Sequence, residues 1–131
     1  MKSTSTTILV ATIVALGANT AQAQKDPPGV NPEHYACYRV SPAKPFKLQK
    51  VSLSDQFGNS TAYVVQEALL CTPVSKNEQP IKDKVTHLMC YTLKVDKSAN
   101  KTASITNQFG TFVMKVGALT QLCVPSLKKL Q

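Results

Sequence analysis

Apolar and polar positions alternate along much of this chain. In "VSLSDQF", Val51 and Leu53 alternate with Ser52 and Ser54; in "ASITNQF", Ala103 and Ile105 alternate with Ser104 and Thr106. A period of two predicts strands with one buried face. After Gly110, Phe112, Met114 and Val116 fall on one face, with Val113, Lys115 and Gly117 on the other. The stretch after Gly58 is weaker, setting Ala62 and Val64 against Thr61, Tyr63 and Val65. Segments around Leu70–Cys71 and Leu122–Cys123 run into Pro73 and Pro125, which suits an edge strand or a strand end. No capped helical stretch stands out beyond the first 23 residues, and Val, Thr and Ser are frequent.

These strands come in two sets. "HYACYRV" (34–40) matches "HLMCYTL" (87–93) at an offset of 53; "SLSDQFG" (52–58) matches "SITNQFG" (104–110) at 52; "LCTPVSK" (70–76) matches "LCVPSLK" (122–128), again at 52. The chain is a tandem duplication, with repeat one at 34–76, a connector at 77–86 and repeat two at 87–129. Two copies suggest a pseudo-twofold arrangement. The expected fold is all-β: two tandem pseudo-symmetric β repeats forming one small sandwich or barrel-like domain, stapled by disulfides. Within each repeat, Asp55-Gln56-Phe57-Gly58 and Asn107-Gln108-Phe109-Gly110 read as hairpin turns. The Asp or Asn accepts a bond from the backbone two residues on, and the Gly supplies a positive φ.

The order H-x-x-C-Y, then (D/N)-Q-F-G, then L-C-x-P-x-x-K, given twice, resembles an uncharacterised bacterial secreted domain family built from this tandem unit. The resemblance covers essentially all of the chain beyond residue 23 and implies export, with no assigned activity. Family members often carry Lys-Pro shortly before the Leu-Cys. Here Gln66-Glu67 and Ala118-Leu119 stand in that place.

The chain's opening supports export. Lys2, the apolar run "TILVATIVALGA" (7–18) and "AQA" (21–23) have the form of a signal peptide covering 1–23. The run is too short to cross a bilayer, which takes about 20 residues. Cleavage there would leave 108 of the 131 residues, enough for one modest domain, starting with an extended Pro-rich tail at 24–33. No later segment has membrane-spanning length, so the expected location is secreted or periplasmic.

An exported chain with four cysteines reads first as a disulfide framework. Cys37 and Cys71 are 34 residues apart, Cys90 and Cys123 are 33, and each pair lies within one repeat. Pairing within repeats is therefore expected, with Cys37–Cys123 and Cys71–Cys90 as the swapped alternative. The His-x-x-Cys spacing at His34/Cys37 and His87/Cys90 is also one that zinc sites use. Residues three apart on a strand point to opposite faces, however, which separates each His from its Cys. A metal held by His34 and His87 alone, where the repeats meet, is the remaining variant; otherwise no metal or cofactor is expected.

Nothing nominates catalysis. The chain contains no H-E-x-x-H, no G-x-S-x-G and no Gly-rich phosphate loop. Of seven acids only Asp55 lies in a repeat motif, and its counterpart Asn107 cannot ionise. A non-enzymatic structural or binding module is expected. Net charge is +8, or +7 after cleavage, and the lysines cluster. Lys44, Lys47 and Lys50 follow the first strand of repeat one; Lys94, Lys97 and Lys101 follow that of repeat two. Paired basic loops suit an anionic glycan or envelope polymer. Nucleic acid fits poorly, because Arg is scarce, Trp is absent and aromatics are not interleaved with the bases. Phe57 and Phe109, at the hairpin tips, are candidates for contact with another exported protein, as in an inhibitor or an assembly component.

Overall fold

The computed structural model describes residues 26–30 and 33–131. The expected signal peptide and part of the Pro-rich tail lie outside the described residues. No helix among them is long and apolar enough to cross a membrane.

The described residues fold into seven strands: β1 (His34–Arg39), β2 (Gln49–Asp55), β3 (Gly58–Val74), β4 (His87–Lys94), β5 (Ser98–Asn107), β6 (Gly110–Ala118) and β7 (Gln121–Ser126). β3 organises the sheet. One edge of it pairs with β2 from Asp55↔Gly58 to Gln49↔Val64, then with β1 from Arg39↔Leu69 to His34↔Val74. The other edge pairs with β4 from Tyr63↔Lys94 to Cys71↔Leu88, and β4 in turn pairs with β7. The result is a five-stranded antiparallel sheet of order β1-β3-β4-β7, with β2 also on β3, and a separate β5–β6 hairpin. The domain is all-β and sandwich-like, and both sheets are open rather than closed into a barrel.

The strand order decides how the repeats are related. β1 and β4 are equivalent, as are the last part of β3 and β7. Both β1 and β4 run antiparallel to β3, so they are parallel to each other. An order of A-B-A′-B′ with matching directions is generated by translation across the sheet. A twofold axis would give A-B-B′-A′ or its reverse. The pseudo-twofold expectation gives way to a translational repeat.

The two copies also bend at the same place. β3 slips register between Val64 and Gln66 and again between Glu67 and Leu69. In repeat two the matching residues separate β6 from β7, and bonds from Leu119 N to Lys97 O and from Leu93 N to Thr120 O span the break. Bulges bend a strand and increase its twist, which lets the first hairpin curl over the sheet. Its apolar face then meets repeat two. Ala62, Val64 and Leu93 are buried, with Phe46, Val51, Leu53, Tyr91, Val95, Leu119 and Leu122 packed around them.

The opposite face of the sheet is held by sulfur. Cys37–Cys71 and Cys90–Cys123 are disulfides within repeats, as the spacing predicts. Each joins residues directly opposite on neighbouring strands. Cys90 points away from the apolar cluster because its neighbour Tyr91 points into it. The sulfurs of Cys71 and Cys90 lie 3.8 Å apart, so the disulfides form one row across the β3–β4 seam. Two disulfides mark an oxidising environment.

Candidate functional site

Both hairpin tips close as the turn motif predicts. Asp55 Oδ1 accepts a bond from Phe57 N at 2.8 Å, and Asn107 Oδ1 accepts one from Phe109 N at 2.8 Å. Gly58 and Gly110 take φ values of 108° and 135°, a region that a side chain makes costly. The tips then diverge. Phe57 is half-buried and lines a groove of about 250 Å³ with Lys97, Val116, Leu119 and Gln121. Phe109 is 67% exposed, and the Lys76 ammonium lies 4.7 Å from its ring centre. Gln108 is buried instead, and its Nε2 donates to Asp26 Oδ1 at 2.6 Å and approaches His34 Nε2 at 3.1 Å. The second hairpin therefore reaches from the end of β4 to the start of β1.

The histidines do not converge. β1 and β4 lie on opposite edges of β3, which sets His34 and His87 two strand spacings apart, about 10 Å. His34 Nε2 contacts Gln79 Oε1 at 2.9 Å, and His87 Nδ1 contacts Val85 O at 2.9 Å. Among the described residues no three His, Cys, Asp or Glu side chains cluster as a metal site.

The six lysines separate into working groups. Lys97 is engaged: its ammonium donates to Gly58 O at 2.8 Å and lies 3.4 Å from Asp55 Oδ1, with the side chain 13% exposed. It ties the first hairpin tip to repeat two. Lys44 and Lys47 are exposed on the β1–β2 loop, which is anchored by Phe46 packing on Tyr91 with ring centres 5.5 Å apart. Lys101 is exposed on β5.

Lys50 and Lys94 come together. Lys50 stands directly opposite Tyr63, and Tyr63 stands directly opposite Lys94. Directly opposed side chains share a face with Cβ atoms about 4.5–5.5 Å apart, so Lys50 and Lys94 leave the backbone on either side of Tyr63 on one rung of the sheet. Tyr63 alternates with the buried Ala62 and Val64 and so faces solvent, 39% exposed. Ser52, Ser54, Asn59 and Thr61 continue the same exposed face, and Ser54 Oγ donates to Asn59 Oδ1 at 2.7 Å. The face is flat and rich in hydroxyls, with one aromatic ring between two cations.

Tyr63 is the member of this face that the lysine pattern does not nominate. The turn does carry the signal for it, since counting outward from Asp55↔Gly58 sets Lys50 against Tyr63. The position of Lys94 depends on the bulged register between repeats, which no local pattern encodes. Compared with protein-family models, curated proteins and solved structures, the chain finds no match in any of the three.

Proposed function

We propose that this chain is a non-catalytic, exported binding module that holds an anionic polymer of the cell envelope or extracellular space on the Lys50–Tyr63–Lys94 rung. The rung itself carries the reading. Two lysines from different repeats stand on either side of one tyrosine, and a sugar unit can lie on the exposed edge of that ring while its charged groups meet the ammonium groups on either side. Neighbouring Ser52 and Thr61 offer hydroxyls to the next unit. The overall positive charge draws a polyanion in from a distance. Lys44 and Lys47, exposed on the anchored β1–β2 loop, add to that field.

The test uses dextran sulfate and neutral dextran as probes. Dextran sulfate should bind with an affinity that falls steeply as salt rises, and neutral dextran should bind far more weakly. Exposed ion pairs are worth up to about 1 kcal/mol each. Lys50→Ala with Lys94→Ala should therefore weaken dextran sulfate binding roughly 10–30-fold. An affinity that stays flat from low to high salt, or that ignores both substitutions, would sink the reading.

One observation favours a protein partner as a second reading. Phe109 presents its ring to solvent at the tip of the second hairpin, whereas Phe57 is turned into the fold. Phe109→Ser should then abolish capture of an exported partner without unfolding the domain. Phe57→Ser should act on stability instead.

A further inference from the structure

The β3–β4 seam joins repeat one to repeat two, and the chain carries both halves of that seam a second time, unpaired. β7 is the later copy of the end of β3, 52 residues on. β1 is the earlier copy of β4, 53 residues back. Because the repeats are related by translation, the outer edges of the sheet differ. The β1 edge copies the β4 side of the seam, and the β7 edge copies the β3 side. Among the described residues no strand lies beside either outer edge.

Backbone geometry follows the same equivalence. Cys37 and Cys71 face each other with Cα atoms 3.9 Å apart, as do Cys90 and Cys123. This is the close spacing of non-hydrogen-bonded antiparallel pairs. The N–H and C=O of such residues point to the other edge of their strand. For Cys71 and Cys90 that edge is the seam, where Cys71 stands opposite Leu88 and Leu69 opposite Cys90. For Cys37 and Cys123 it is the open edge, and alternation puts the backbone groups of Tyr35 and Gln121 there too.

We propose that a second copy of this chain completes these edges, with β7 of one molecule adding antiparallel to β1 of the next in the register of the internal seam. Cys123 then stands opposite Tyr35 of the neighbouring copy, and Gln121 opposite its Cys37. Burial supports this occupant. At the internal seam Cys71 and Cys90 are 2% and 1% exposed, whereas Cys37 and Cys123, the outer ends of the sulfur row, are exposed. Tyr91 at the seam packs on the apolar cluster, whereas its counterpart Tyr38 is 61% exposed. Joining the edges continues the sulfur row and covers Tyr38.

The edges also carry little of the charge that usually guards against pairing. β7 carries no charge, and β1 carries Arg39 as its one fixed charge, where natural edges commonly use several charges or bulges. Pro125 does not obstruct the pairing. Its counterpart Pro73 lies beyond the last pair of the internal seam, Cys71↔Leu88. The contact is heterologous and each copy advances along the sheet as the strands twist, so it does not close on itself and generates a linear array.

Sedimentation velocity over a concentration series, without polymer, tests the proposal. The wild-type protein should show a ladder of species growing with concentration. Gln121→Pro and Tyr35→Pro each remove an N–H that points to one open edge only, and each alone should halt the ladder. Mixed in equal amounts, they should form a 1:1 dimer that grows no further, because each variant retains the edge the other has lost. A wild-type protein that stays monomeric throughout, or a dimer that survives in each variant alone, would overturn the proposal. If either variant fails to fold by circular dichroism, amide exchange on the wild type decides. Exchange at Gln121, Cys123, Tyr35 and Cys37 should slow as concentration rises, and exchange independent of concentration refutes the pairing.

Discussion

Replacing Cys37 and Cys71 together by Ala, or Cys90 and Cys123 together, removes one staple and leaves the other. The paired residues are 34 and 33 apart in sequence, and loop-closure entropy assigns each bridge about 4 kcal/mol at 25 °C. That is large beside what else holds the fold. Among the described residues the buried apolar ones, apart from cysteine, are Ala62, Val64 and Leu93, and fully burying a Val or Leu side chain contributes about 1.5–3 kcal/mol. Domains of this size hold roughly 5–15 kcal/mol in total. Each double variant should therefore remain folded but lose about 4 kcal/mol, and the quadruple variant should be unfolded at room temperature. The losses should not add cleanly, because the sulfurs of Cys71 and Cys90 touch at 3.8 Å and each covers the other. Urea denaturation, with thiol counting on each variant, reads the effect, and the slope should rise as the unfolded chain expands. A loss below about 1 kcal/mol for either pair would refute this account, leaving strand pairing and the apolar cluster as the main supports.

Other substitutions separate stability from binding. Lys97→Ala should lower unfolding free energy by about 1 kcal/mol, mainly through the lost bond to Gly58 O, while dextran sulfate affinity is unchanged; a fall in affinity would return Lys97 to the binding strip. Gly58→Ala and Gly110→Ala place a side chain at φ values of 108° and 135° and should each cost about 1–2 kcal/mol, read as a drop in melting temperature. Asp83 accepts bonds from Val85 N and Thr86 N in the connector, and bonding from Thr86 holds its carboxyl below the ordinary aspartate range. Because the folded value is depressed, the stabilisation is present above the unfolded value of about 3.9 and is lost as pH falls through the folded one. Carbon-detected NMR should place the Asp83 midpoint below that value, and a midpoint at or above it would refute the capping role.

The local chemistry of the fold was legible because it rests on short-range rules. Asp55 and Asn107 announce the turns, Gly58 and Gly110 fill the positive-φ positions, and the near-equal cysteine spacings announce pairing within repeats. The alternation of Ala62 and Val64 with Tyr63 was readable, though faint. What the pattern did not disclose is long-range geometry. Translation and twofold rotation generate the same duplicated sequence, and only the pairing of β3 with β4 distinguishes them. The bulges at Val64/Gln66 and Glu67/Leu69 change the register between repeats, so Lys94 could not be placed opposite Tyr63 in advance. Lys97 looked equivalent to the other lysines until the first hairpin curled over and supplied Gly58 O. The two Phe tips have the same local turn and diverge because the first meets repeat two while the second reaches back to His34.

The polymer rung and the edge-to-edge array make a joint prediction. Each added copy extends the path β1-β3-β4-β7 by four strands, about 19 Å at the spacing of strands in a sheet. Adjacent strands are rotated by roughly 20–25°, so one copy turns the sheet by about a quarter turn. Successive Lys50–Tyr63–Lys94 rungs then face directions about 90° apart. A stiff, straight polymer meets a rung on every fourth copy, while a flexible one can wind with the sheet and meet them all. Array formation should therefore raise affinity for long dextran sulfate through effective concentration, and leave affinity for a sulfated disaccharide unchanged. Gln121→Pro isolates the effect, since it opens the array while leaving the rung intact. If it weakens binding of the long chain alone, the array multiplies the site. If it weakens binding of both probes, the substitution has disturbed the rung itself. If it weakens neither, each molecule binds polymer singly, and the rung stands without the array.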